Sequence, residues 1–86
     1  MNTGLSPAGA TDLVLDVRGL MPPEPLERVL DALATLPPSK RLLMVIDREP
    51  RPLYGILRQN GFLHACTART DAAFEILIWK GPDPSV

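Results

Sequence analysis

The sequence is poor in the residues that most often announce chemistry. It holds a single cysteine, so no disulfide can close within the chain and nothing asks for an oxidising compartment. One cysteine and one histidine cannot build a four-ligand zinc site in one chain. A surplus of either charge is also missing: Lys plus Arg is 9 and Asp plus Glu is 10, leaving −1. That excludes a nucleic-acid binder driven by bulk positive charge, and equally an acidic solvating tail. Long apolar runs are absent. The longest, residues 42–46, falls far short of the roughly twenty that a membrane helix needs. No basic segment leading into an apolar one is read near the start, so no signal peptide is expected. These absences predict a cytoplasmic protein with no metal, no cofactor, no nucleic-acid partner and no membrane contact.

What remains is one small globular domain. The chain has 86 residues, too few for two domains, and 45% of them are apolar, which suits a packed core. Proline is abundant at 10 residues, about twice the usual share. Residues 1–11 and 81–86 are small, polar and Gly/Pro-punctuated, and read as disordered tails around a single domain over 12–80. A domain of this size has only about 3–5 kcal/mol of stability from its core, so a partner or self-association would help it.

Residues 13–17 are a short Val/Leu run and read as a buried strand. The cluster Met21-Pro22-Pro23-Glu24-Pro25 marks a helix entrance, because proline is tolerated only in the first helical turn. Leu26, Val29, Leu30, Leu33 and Leu36 then recur at helical spacing, and Pro37-Pro38 must stop the helix. Residues 42–46 read as a second strand. Arg51-Pro52 opens a second helix with Leu53, Ile56 and Leu57 as its apolar face and Asn60-Gly61 as its stop. Gly55 inside that helix suggests close approach to a neighbouring strand. Residues 62–69 and 74–80 are strand-like and joined by a hairpin-length link. The order β-α-β-α-β-β predicts an α+β fold. It is a two-layer sandwich with a four-stranded mixed sheet and two helices packed on one face.

Side-chain alternation then places large apolar groups on both faces of that sheet, with Leu77 and Trp79 on the uncovered side. Either the tails and sheet twist cover this face, or it is a docking face for a protein partner, a second copy of the chain among the candidates.

The loop Asp16-Val17-Arg18-Gly19-Leu20-Met21-Pro22-Pro23-Glu24-Pro25 resembles the Asp-x-Arg-Gly-Leu-x-Cys-Pro-x-Pro signature of the TusA-type, SirA-like sulfur carriers. The resemblance implies the same fold over nearly all of 12–80. It departs at the chemistry: where the carriers hold a persulfide-forming cysteine at a helix start, this chain has Pro22. The second loop, Asp47-Arg48-Glu49-Pro50-Arg51-Pro52-Leu53, is similar to that of an uncharacterised, cysteine-lacking TusA-like branch bearing Asp-His-Asp-Pro-Arg-Pro-Leu. Arg48 replaces that branch's histidine.

The resemblance implies a non-catalytic interaction or regulatory module. Its candidate binding residues are Asp16, Arg18, Gly19, Pro22, Pro23 and Glu24 in the first loop, and Asp47, Arg48, Arg51 and Tyr54 in the second. The alternatives are a sulfur-trafficking accessory that lost the carrier cysteine, and an anion binder on a rim formed by Arg18, Arg48 and Arg51. The competing structural reading pairs Asp16 with Arg18 or Arg51 and caps the second helix with Asp47. Tyr54 and Arg58 are expected on that helix's outer face, His64 at a surface or edge position, and Cys66 as a small buried hydrophobe.

Overall fold

The structure, a computed structural model, describes residues 12–81; the predicted tails otherwise lie outside these residues. Strand β1 is Asp12–Asp16, helix α1 Glu24–Ala34, β2 Arg41–Ile46, α2 Arg51–Gln59, β3 Phe62–Ala68 and β4 Phe74–Lys80. The four strands form one mixed sheet in the order β1-β2-β4-β3. β1 and β2 are parallel, as a helical crossover requires, while β4 runs antiparallel to both β2 and β3. Val17 continues β1 by donating its N–H to the Val45 carbonyl at 2.8 Å.

Register assigns the faces. Leu42, Met44 and Ile46 of β2 lie beside Ile78, Ile76 and Phe74 of β4. They pack with Val29 and Leu33 of α1 and Leu53 and Leu57 of α2 into one core. Both helices therefore cover this face, and the expected two-layer arrangement is the one observed. Leu36 packs against the core from beyond the end of α1. Leu30 does not fulfil its expectation: it is 37% exposed, standing at the margin of the apolar stripe.

Local chemistry explains the element ends. Neither helix has a side-chain N-cap; Pro23 and Pro50 stand at the caps and a further proline sits in each first turn. Prolines set the backbone angle there and remove N–H groups that would otherwise go unsatisfied. α2 ends as Asn60 donates its side-chain amide to the Ile56 carbonyl at 2.8 Å and Gly61 turns the chain at φ +80. The expected close approach at Gly55 is absent: a Cβ there would meet only the tip of Arg58, at 4.0 Å.

The opposite sheet face has no layer over it among the described residues. Val14, Leu43, Leu77 and Ala65 form one row across it, with Leu63 and Trp79 adjacent. Val14 is 68% exposed, whereas Leu77 and Trp79 are half-buried. At one end of this sheet Asp12, Arg41 and Trp79 lie side by side, so the chain enters β1 and leaves β4 together, away from both crossover loops.

Candidate functional site

The two crossover loops meet at the C-terminal ends of the parallel strands, where open α/β sheets tend to carry their sites. A hydrogen bond joins them: the Gly19 N–H donates to Asp47 Oδ2 at 3.0 Å. Gly19 holds φ +80, a conformation that side chains disfavour, and this turn presents its amide to the second loop. Asp47 is therefore a loop-to-loop tie and not the expected cap of α2, because Pro50 already occupies the cap position.

Between the loops lies a groove of ≈ 690 Å³. Its floor is Leu20, Leu26, Met44, Ile46 and Leu53, and its walls are Pro22, Pro23, Pro25, Pro50 and Pro52. Met21 stands at the lip with 76% of its surface exposed. Asp47, Arg48 and Glu49 supply the polar margin. The α1 and α2 N-termini adjoin it, but the prolines withhold N–H donors that an anion would use.

Two of the three arginines expected on the rim are taken by nearby acids. Arg18 grips Asp16 through two side-chain bonds, Nε to Oδ1 at 3.0 Å and its terminal nitrogen to Oδ2 at 2.7 Å. Its backbone N–H adds a third bond to Asp16 Oδ1 at 3.1 Å. Arg51 pairs with Glu49 at 3.3 Å, and Arg48 projects from the loop exposed. Of the two pairings expected for Asp16, Arg18 is the one made.

Arg18 also reaches Asp71 at 3.6 Å, Asp71 meets Arg69 at 3.1 Å, and Arg69 meets Glu75 at 3.2 Å. This relay of charge ties the first loop to the β3–β4 hairpin. It spans the row in which Asp16, Val45 and Glu75 are register neighbours, and Val45 is only 5% exposed although it belongs to the uncovered face. The Arg18 hydrogen bonds draw the Asp16 carboxyl down to about 2, with the Arg18 and Arg69 charges adding to the effect. Asp71 is lowered as well, first by the Ala73 N–H and then by Arg69. Asp16 reciprocally raises the Arg18 guanidinium. Glu24, at the start of α1, pairs with Arg28 one turn on at 2.9 Å.

Tyr54 is not on an outer solvated face. Its ring stacks on His64 of β3, centroids 4.2 Å apart and planes within 6°. Its hydroxyl donates to Glu49 Oε2 at 3.1 Å. Burial, and then contact with the Cys66 thiol and the Glu49 carboxylate, pushes the phenol above its ordinary range. Arg58 is exposed as expected. Cys66 is exposed and not the buried hydrophobe expected, because β3 lies at the sheet edge. No group of three or more His, Cys, Asp or Glu residues suited to a metal is found among the described residues.

With this geometry in place, comparison with known proteins gives the family. The model of the uncharacterized conserved protein family DUF2249 matches residues 14–80. The chain belongs to that family. Among solved structures, a SirA-like protein from Desulfitobacterium hafniense is similar in fold, with a TM-score of 0.70 at 21% identity. The match covers 80% of this chain and 97% of that one. None of the curated proteins compared matches this sequence. The DUF2249 match spans both proline-rich loops and all of β2, β3 and β4, so the groove and the charge relay fall within the family's domain.

Sequence reasoning named two of the groove's five proline walls, Pro22 and Pro23, as binding residues, and missed the exposed Met21 and Glu49 as the hub joining Arg51 to Tyr54. It also missed Arg69, Asp71 and Glu75. Their i,i+2 and i,i+6 spacings around a hairpin were the available signal.

Proposed function

We propose that the chain is a docking module that seats an apolar segment of a partner protein in the groove between its two proline-rich loops. The composition of the groove supports this reading: an apolar floor, five proline walls and an exposed methionine at the lip. Proline loses almost no side-chain entropy on contact, so such walls are preorganised for an apolar guest. The volume lies within the roughly 300–1,000 Å³ typical of binding pockets. Asp47, Arg48 and Glu49 would orient the guest's polar groups without setting a strong charge preference. The uncovered sheet face around Val14, Leu77 and Trp79 offers the partner a second contact.

The test is affinity capture from native cells, followed by calorimetry with the recovered partner. Met21→Glu should weaken binding at least tenfold, and Val14→Lys should weaken it less. Binding that Met21→Glu leaves unchanged overturns the groove as the docking site.

A sulfur-trafficking accessory is the second reading, favoured by the SirA-like fold and by the first loop's likeness to the carrier signature. With Pro22 in the carrier's cysteine position, Cys66 is the one thiol that could take up sulfur, and it lies on β3, away from that loop. Incubation with a cysteine desulfurase and a sulfur donor, followed by mass spectrometry, decides it. A persulfide mass gain on Cys66 would favour this reading over docking alone.

A further inference from the structure

Strand edges carry unpaired N–H and C=O groups, and proteins blunt them with charge, proline, bulges or cover. This sheet has two edges, β1 and β3, and they differ. β1 reads Asp-Leu-Val-Leu-Asp. Asp16 puts a charge at the end of this strand, one of the devices that blunt an edge.

β3 has no such guard. Its seven residues, Phe-Leu-His-Ala-Cys-Thr-Ala, include no Lys, Arg, Asp, Glu or Pro. Its register with β4 runs unbroken from Phe62↔Lys80 to Ala68↔Phe74, so no bulge twists it away. Among the described residues nothing pairs with its outer side, and Ala65, Cys66, Thr67 and Ala68 are all exposed.

We infer that β3 is a self-association edge, through which two copies of this chain join antiparallel into one eight-stranded sheet about a two-fold axis at Ala65. In that register Phe62 meets Ala68 of the second copy, Leu63 meets Thr67, His64 meets Cys66, and Ala65 meets itself. Small and apolar groups oppose one another and no charges collide. Arg69, the first charge beyond the strand, falls opposite Gly61 of the second copy. The contact is isologous and closes at two copies. It is separate from the groove and stands or falls without it, and it joins the apolar rows of the two uncovered faces side by side.

Sedimentation equilibrium of the full chain, from micromolar to millimolar, tests the pairing. The wild type should show a monomer–dimer equilibrium. Ala65→Lys, a change at an exposed position, sets two ammonium groups against each other at the axis and should raise the dimer dissociation constant at least tenfold. Val14→Lys, on the far edge, should leave it within twofold. A nitroxide on the native Cys66 reads the geometry, once sedimentation shows that the labelled chain keeps the unlabelled dissociation constant. Across this axis the two Cys66 positions are diagonal neighbours, about 7–8 Å apart, and their labels should broaden each other's spectra. A strict monomer at millimolar concentration overturns the proposal. So does a dimer insensitive to Ala65→Lys, one dissolved by Val14→Lys, one without spin broadening, or assembly into filaments.

Discussion

Gly55 sits at the middle of α2, in a helix of only nine residues, and nothing in its surroundings needs the missing side chain. A Cβ there would meet a single atom, the end of the flexible Arg58 side chain, at 4.0 Å. Replacing glycine by alanine inside a helix gains about 1 kcal/mol, because alanine has fewer unfolded conformations to give up. No steric cost offsets that gain here. For a domain of this size 1 kcal/mol corresponds to about 4–8 °C in Tm, so Gly55→Ala should melt higher by that amount. Urea unfolding followed by circular dichroism gives the cleaner measure. The midpoint should rise with an unchanged slope, which reports stability and not a change in exposed surface. An unchanged or lowered midpoint would refute the reasoning, since it would mean that position 55 is crowded or that α2 is not helical there.

Three further perturbations address the core, the hairpin and the charge relay. Leu53→Ala empties a site that is 1% exposed beneath the groove, and should cost about 2–5 kcal/mol, comparable to the domain's whole stability; thermal denaturation reads it, and a loss under 1 kcal/mol would contradict the packing. Ala72 holds φ 71 in the β3–β4 turn, a left-handed conformation that strains any Cβ, so Ala72→Gly should stabilise by about 0.5–1 kcal/mol in urea unfolding. The Asp16 carboxyl lies at about 2 in the fold, below its ordinary 3.8. A depressed carboxyl adds stability above its unfolded value and loses that addition as pH falls through the folded one. Acid unfolding of the wild type should therefore lose stability between about pH 4 and pH 2 that Asp16→Asn does not lose, as read by midpoints across that window.

The layers were legible because they rest on local rules. Two-residue alternation in β2 and β4 assigns Leu42, Met44, Ile76 and Ile78 to one side and Leu43 and Leu77 to the other, and the register agrees. Prolines at the start of each helix mark α1 and α2 from sequence alone. The same prolines line the groove, but only Pro22 and Pro23 were read as binding residues. The pairings were not legible. Whether Asp47 caps α2 or ties Gly19 depends on how two loops separated by 28 positions meet in space. Arg18 reaches the hairpin because Asp71 arrives there from a distant part of the chain, and Arg69 carries the relay on to Glu75. Tyr54 appeared solvent-facing by helical phase, and only the sheet order, which brings β3 to the edge under α2, reveals its stack on His64. Cys66 stands exposed by the same geometry.

Asp12, Arg41 and Trp79 are register neighbours, so the backbone reaches and departs the sheet two strand spacings apart, about 10 Å. The arrangement resembles a plug with both leads at its back. Covalent attachments at either lead, or insertion of the whole unit into a loop of a larger polypeptide, would leave the proline-walled side facing outward. Attachment at the leads therefore leaves the geometry of the proline-walled groove unchanged.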